Sequence, residues 1–168
     1  MTDNMIFKRR SIRKFLDKPV ENEKLIRILK AGMQAPSAHN NQRWEFIVLT
    51  EQDKKDAVSK SSPYAGMVKH APISIVVLGK YNDDNLTQWF EQDLSACTQN
   101  ILLQIVNEGL GGCWMGFYPD RVRVDILKQL FNLPDDIMPF CVISLGYSED
   151  KNKYIDRSDM SKVHYNMY

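Results

Sequence analysis

The run Ile73-Ser74-Ile75-Val76-Val77-Leu78 is almost wholly apolar and rich in β-branched side chains. Runs of this kind are typical of strands that are buried on both faces of a sheet. The run therefore predicts a central strand, which Gly79 ends. Residues 44–49 and 140–145 are further strand candidates, and residues 113–117 form a short buried segment between glycines.

Helical patterns lie between these strand candidates. Residues 21–33 have apolar side chains at helical spacing, and Gly32 and Pro36 help to end the helix. A polar helical stretch covers residues 53–60, and Asp120 is a plausible N-cap for a helix through residue 130. Over residues 87–108, apolar side chains at helical spacing cover an arc too wide for a helix with one solvent-exposed face, and Gly109 is a C-cap signal. That helix is either central to the core or shared with a partner subunit.

Strands and helices alternate imperfectly, which favours an α+β layered domain over a doubly wound sheet. The 168 residues show no linker or repeat, so we expect a single domain over 1–168. Residues 147–168 are polar with interspersed tyrosines. They are either a frayed tail or an arm that packs on something.

Composition limits the classes of function. The formal net charge of +1 gives no general attraction for nucleic acid or for acidic membranes. The three cysteines have no metal-ligand spacing, so we expect reduced, buried thiols and no metal site. No apolar run resembles a signal peptide or spans a bilayer, which predicts a cytoplasmic protein.

Two polar segments carry the chemistry. In the first, Arg9, Arg10, Ser11 and Arg13 concentrate guanidinium groups, which bind phosphate oxygens in pairs. In the second, residues 35–42, small side chains allow close approach of a flat ring while amides supply donors and acceptors. Together they indicate a phosphorylated aromatic cofactor, with flavin mononucleotide (FMN) as the obvious candidate. The alternatives are a solvated basic turn and a loop whose polar side chains only close their own turns.

The order and spacing of several motifs resemble the nitroreductase family in its compact form. The likeness covers nearly the whole chain. It runs through Arg-Arg-Ser-Ile-Arg-Lys-Phe from residue 9, Ala-Pro-Ser-Ala-His-Asn-Asn-Gln-Arg-Trp-Glu-Phe from residue 35, and Ala71-Pro72. It continues through Asp93-Leu94-Ser95-Ala96, Gly-Leu-Gly-Gly-Cys-Trp-Met-Gly from residue 109, and Val163-His164-Tyr165. The resemblance implies a mostly antiparallel sheet flanked by helices, in an intertwined homodimer with FMN at the subunit interface.

The resemblance also assigns roles to residues. Phosphate and ribityl contacts would come from Arg9, Arg10, Ser11 and Arg13, with Arg157 as a late phosphate contact. The flavin ring would be lined from the other subunit by Pro36, Ser37, Ala38 and Asn40, with Gln42 nearby, and at another edge or face by Met115 and Gly116. Residues 147–168 would be an arm on the partner subunit.

One position departs from the family pattern. Arg43 stands where the family usually has a proline before the tryptophan, so a long cation lies beside the proposed ring. It would either favour an anionic substrate or point into solvent, and we expect solvent. His39 is expected to be a turn residue without a catalytic role.

The activity implied is transfer of two electrons from NADH or NADPH to a small acceptor, such as a nitroaromatic or a quinone, in a ping-pong cycle with the redox step on the cofactor. A non-catalytic flavin-binding or flavin-delivering protein is the main alternative. A nucleic-acid-binding module based on the basic N-terminus is a third.

Overall fold

A computed structural model describes residues 4–81, 87–150 and 153–168. A four-stranded antiparallel sheet has the order β1-β2-β4-β3. Its strands are β1 (Trp44–Leu49), β2 (Ile73–Lys80), β3 (Gly111–Gly116) and β4 (Ile137–Gly146). The α-helices are α1 (Met5–Lys8), α2 (Asn22–Met33), α3 (Gln52–Lys60), α4 (Phe90–Asn107) and α5 (Arg121–Phe131), and 3-10 turns cover Ala38–Asn40, Val68–His70, Thr87–Trp89 and Met160–Lys162. The predicted α+β class is confirmed.

The central strand β2 is buried on both faces, as its continuous apolar run predicts. Ile75 and Val77 belong to the core cluster beneath α2 and α4. Val76 and Leu78 face the opposite cluster, which α3 and α5 cover. Because successive side chains of a strand alternate between faces, one apolar strand supplies both halves of the core.

Helix α4 is the central helix of the first cluster. Leu94, Cys97, Ile101 and Ile105 are all fully buried. The wide apolar arc in its sequence therefore reflects packing on α2 on one side and on the sheet on the other. Thr87–Trp89 is a separate 3-10 turn, so the α-helix begins at Phe90 and not at residue 87.

Two glycines expected to end elements lie inside them. Gly79 is within β2, and a Cβ atom there would lie 2.6 Å from Phe90 Cε2. Gly32 is within the last turn of α2, where a Cβ atom would lie 2.8 Å from Ile101 Cγ1. Both residues are therefore small because α4 packs directly against their backbone.

Other element ends follow their local signals. Asp120 is the N-cap of α5, and its carboxylate accepts a hydrogen bond from the backbone N–H of Arg123 at 3.2 Å. Gly109 follows α4 in a left-handed conformation, with φ of 73°, which favours glycine. Strand β4 begins at Ile137, three residues earlier than predicted, because Pro139 lies at an irregularity in its pairing with β2.

The register of the two central strands is marked by a buried polar pair. Ser74 on β2 and Ser144 on β4 lie opposite each other, and their hydroxyl oxygens are 3.0 Å apart. Since one hydroxyl donates to the other, neither is left without a partner in an apolar core. Over the residues described, no helix has the length and apolarity needed to cross a membrane.

Candidate functional site

The arginine-rich N-terminal segment is fixed against the start of β3. Ser11 forms a parallel bridge with Gly112, and the backbone N–H of Ile12 donates to the Gly112 carbonyl at 2.9 Å. The Ile12 side chain is buried against Gly111. The flanking arginines are thereby held beside residues 113–116, so the structure joins two of the predicted site segments.

The Arg10 guanidinium lies close to those of Arg9 and Arg157. Burial lowers the pKa of Arg10, and the charges of Arg157 and Arg9 lower it further. Over the described part of the chain, neither Arg9 nor Arg13 forms an ion pair with a carboxylate. Like charges held together in this way are suited to an anion, and phosphate matches the fork of donors on a guanidinium.

A groove of about 660 Å³ runs from Arg13 along β3. One wall is residues 113–116, and the other is the loop after α3 together with Arg123 on α5. The Arg123 guanidinium carbon lies 5.4 Å from the centre of the Tyr64 ring, which ties the two elements of that wall together. The volume falls within the usual range of about 300–1,000 Å³ for small-molecule sites.

Met115 and Gly116 both line this groove. The Met115 side chain also packs in the second core cluster and is only 4% exposed. Gly116 is exposed, and no atom lies within 4 Å of a Cβ atom built on it. The end of β3 therefore leaves open space directly above its backbone.

The segment over residues 36–42 is a tight loop between α2 and β1. His39, Asn40 and Gln42 have φ values of 53°, 56° and 47°, a left-handed conformation that costs energy for residues other than glycine. The backbone N–H of Gln42 donates to Ser37 Oγ at 3.0 Å, and the Gln42 amide nitrogen donates to Asn40 Oδ1 at 3.2 Å. The amides thus hold the loop as well as facing outward.

Asp93 anchors this loop to the core helix α4. Its side chain is 6% exposed, and Oδ1 accepts a hydrogen bond from the Ala38 N–H at 2.9 Å. Sequence reasoning missed this role. A signal was present, because Asp93 is an acidic residue at helical spacing from Phe90 and Cys97, on the apolar side of α4.

In a single chain, the loop and the groove are separate. None of the described residues that line the groove comes from 36–42. Next to the loop is a smaller cavity of about 270 Å³, lined by residues 41–45 and Lys80. Arg43 is half-buried there, with a guanidinium nitrogen 3.5 Å from the Lys80 carbonyl at the surface.

The C-terminal segment extends over the surface. Residues 153–168 are exposed throughout, although the Tyr154 ring stacks on Phe7 at 5.2 Å and the Ile155 N–H donates to the Phe7 carbonyl. These contacts bring Arg157 near Arg10. Large apolar side chains stay exposed farther along; Tyr165 and Met167, for example, are each 83% exposed.

The three cysteines are buried and free, as expected. Burial raises the pKa of Cys97 to about 12 and also raises that of Cys113, although Arg13, Ser11 and Arg9 act in the opposite direction on Cys113. No cluster of metal-ligating side chains occurs among residues 4–81, 87–150 and 153–168.

The groove wall from 63–67 and Arg123 was also missed by sequence reasoning. Tyr64 and Met67 lie in a Pro- and Gly-containing loop without periodicity, and Arg123 lies on a helix far away in sequence. No local pattern in these stretches indicates that they meet.

Comparisons with known proteins identify relatives of the chain. The sequence profile of the Nitroreductase family matches residues 6–63 and 52–147. A provisionally named NADH dehydrogenase/NAD(P)H nitroreductase of Archaeoglobus fulgidus is 39% identical over 160 residues, which cover 92% of this chain and 90% of that protein. A similarly named protein of Methanothermobacter thermautotrophicus is 38% identical over 93% of this chain and 82% of its own length. An FMN-dependent nitroreductase structure from Clostridium difficile has a TM-score of 0.90 at 32% identity, covering 98% of this chain and 99% of that one.

Proposed function

The chain belongs to the nitroreductase family of FMN-dependent NAD(P)H oxidoreductases, and on that premise we propose that it reduces a small acceptor, such as a nitroaromatic or a quinone, in a ping-pong cycle. The observation that carries the proposal is the groove along β3, with the Arg13 guanidinium at one end and open space above Gly116. A phosphate at the first feature and a flat ring at the second match the two chemically distinct ends of FMN.

The residues present fit this cofactor. Arg9, Arg10, Ser11 and Arg13 would hold the phosphate and the ribityl chain, and Arg157 would add a further charge. Residues 115–116 would lie along the flavin ring, where the absence of a side chain on Gly116 allows close approach. When bound, FMN supplies the redox step, accepting a hydride from NAD(P)H and passing two electrons to the acceptor.

The protein's own contribution is binding, orientation and electrostatics. Guanidinium groups keep their charge at every physiological pH, so the positive charge that the protein offers to the phosphate does not change with pH. The loop after α3, with Tyr64 and Met67, forms one wall of the groove. It would restrict access to one face of the flavin ring, where the electron donor and then the acceptor would bind. With a quinone as acceptor, the balance is NAD(P)H + H⁺ + quinone → NAD(P)⁺ + hydroquinone.

A second copy of the chain would complete the site. The loop 36–42 does not reach its own groove, yet His39, Asn40 and Gln42 have left-handed backbones and Asp93 anchors the loop. Exposed amides held in this way are suited to the edge of a flavin ring. We therefore place Pro36, Ser37, Ala38, Asn40 and Gln42 against the groove of a partner subunit, with residues 147–168 as an arm around that partner.

The first test is optical. The protein is reconstituted with FMN, desalted, and mixed anaerobically with NADH or NADPH while absorbance is recorded. Retained flavin bands that bleach with a nicotinamide support the proposal. A yellow protein that neither nicotinamide bleaches would instead be a flavin carrier, and a colourless protein would refute the site.

The phosphate grip is tested by Arg13→Ala. Loss of one charge-assisted contact is expected to weaken FMN binding by about 1.5–3 kcal/mol. Arg121→Ala, on an exposed arginine outside the groove, is the matched control and should bind FMN like the parent. Parent affinity in Arg13→Ala would remove this residue from the site.

Mixed dimers test the shared site. Arg13→Ala and Asn40→Ala chains are each expected to bind FMN poorly. If the two residues come from different chains, each mixed dimer contains one intact site, and co-expression restores FMN binding to that site. If both residues served a site within one chain, mixing would restore nothing.

A further inference from the structure

Lys55 on α3 is a buried cation that, among the residues the structure describes, has no carboxylate partner. The residue is only 7% exposed, and its ammonium nitrogen donates to the Ala71 carbonyl at 3.0 Å. Over the described part of the chain, no carboxylate pairs with it. Burying a cation is costly unless it is paired, so its position calls for a negative partner.

Lys55 lines a cavity of about 510 Å³ outside the groove described above. The walls are the N-terminal segment 13–17, α3 and the turn before β2. Those walls also carry Arg13, Lys14, Lys69 and His70, while Asp17 is the carboxylate among the lining residues. Four permanent cations thus face one acid in a chain whose net charge is only +1. The local excess of positive charge makes this a site for an anion.

The chemistry favours a phosphate over a carboxylate. Lysine ammonium groups are compact point charges with several donors each, and a dianionic phosphate monoester can satisfy several of them at once. The cavity has the volume of a small-molecule site and exceeds the needs of an isolated inorganic ion. A nucleotide fragment that carries a phosphate matches both its charge and its size.

The cavity adjoins the proposed flavin groove, because Arg13 lines both. A ligand that lies on the flavin and extends past Arg13 therefore enters the basic cavity. We propose that this cavity binds the phosphate on the adenosine ribose of NADPH, so that the enzyme prefers NADPH to NADH. The inference rests on the proposed function, since it assigns the donor of that same site.

The test uses charge reversal at exposed lining residues that hold no assigned cofactor contact. Lys69→Glu and Lys14→Glu remove cations from the cavity, and Lys60→Glu, at an exposed position on α3 outside it, is the control for long-range charge. In stopped-flow bleaching of the FMN-loaded protein, the dissociation constant for NADPH should rise about tenfold in each cavity variant, the size of one charge-assisted contact. The constant for NADH should stay nearly unchanged, and Lys60→Glu should match the parent with both donors.

A direct binding measurement separates this inference from the function on which it rests. Adenosine 2′,5′-bisphosphate is titrated calorimetrically into FMN-free protein, with 5′-ADP as the comparison ligand. Tighter binding of the 2′-phosphate compound in the parent, lost in Lys69→Glu, supports the cavity. The proposed role of the cavity would be overturned by equal binding of the two compounds, or by a ratio of the NADPH and NADH dissociation constants that Lys69→Glu leaves unchanged. Bleaching of the flavin by a nicotinamide would still support the proposed function in that case.

Lys55 itself gives a second variant. Lys55→Met fills nearly the same volume without a charge. The variant should fold, because the substitution removes only one hydrogen bond, the one to the Ala71 carbonyl. It is expected to lose affinity for the 2′-phosphate compound without losing FMN. Parent affinity in a folded Lys55→Met protein would show that the buried cation does not serve this ligand.

Discussion

Asp93 provides the sharpest test of how the loop 36–42 is held. The Asp93→Ala variant removes the acceptor of the Ala38 N–H, a hydrogen bond of 2.9 Å to a carboxylate that is almost fully buried. Hydrogen bonds to charged groups contribute about 1.5–3 kcal/mol, and we expect the free energy of unfolding to fall by that amount. Urea denaturation followed by tryptophan fluorescence measures it.

The same variant should also weaken FMN binding. Without the anchor, His39, Asn40 and Gln42 relax from their left-handed conformations, each of which costs roughly 1–2 kcal/mol. The loop must then be ordered again when the cofactor binds. If FMN binding must supply about 1.4 kcal/mol of free energy to order the loop, the dissociation constant for FMN rises about tenfold.

Asp93→Asn is the matched control. Its amide keeps an oxygen acceptor in nearly the same place, so its losses of stability and of FMN affinity should both be smaller than those of Asp93→Ala. The reasoning is refuted if Asp93→Ala loses stability and binds FMN as tightly as the parent. In that case the loop is a structural turn and contacts no cofactor.

Three further measurements test the packing and the electrostatics. Gly32→Ala places a Cβ atom 2.8 Å from Ile101. The free energy of unfolding should fall by about 1 kcal/mol, because the cost of overpacking exceeds the gain in helix propensity. In the control Gly66→Ala the new Cβ atom has no neighbour within 4 Å, so stability should change by less than about 0.5 kcal/mol. Burial raises the pKa of Cys97 to about 12, so a thiol reagent at pH 8 should not label it in the folded protein but should label it in urea; rapid labelling without denaturant would contradict its burial. Hydrogen bonds, of which that from Arg27 has the largest effect, lower the pKa of Glu108 in the folded protein. The ionised carboxylate therefore stabilises the fold above the unfolded pKa of about 4.3, and this stabilisation is lost as pH falls through the lower folded pKa. The loss of stability in Glu108→Gln, below about 1 kcal/mol at pH 7, should therefore shrink in urea titrations at pH 3, and a difference that does not depend on pH would show that the charge is not responsible.

The sheet was predictable where a single segment contained its own evidence. The apolar run of β2 indicated a central strand because burial on both faces requires apolar side chains at every position. Its end was not predictable, since Gly79 is small to accommodate Phe90, a residue whose proximity arises only in the fold. Pro139 similarly concealed the start of β4, because proline in a strand depends on a pairing irregularity that the sequence does not display.

The candidate site divides in the same way. The arginines and the segment after Gly111-Gly112 were identifiable by residue type, and the bridge from Ser11 to Gly112 brings them together. The wall with Tyr64 and Arg123 was not identifiable, because those residues meet across about sixty positions of sequence without a shared pattern. The assignment of FMN contacts to individual residues stays a prediction that the mixed dimers and the arginine variants test.

The pairing of β2 with β4 has a consequence for synthesis of the chain. Ser74 and Ser144 meet although they are 70 positions apart, and β4 lies between β2 and β3 in the sheet. A nascent chain therefore cannot close its sheet until residue 146 has left the ribosome, and until then one edge of β2 has no partner. Pairing over such separations is slow, and an unpaired apolar strand is prone to aggregate. Production of the protein is thus expected to be most vulnerable during translation, before its last strand emerges.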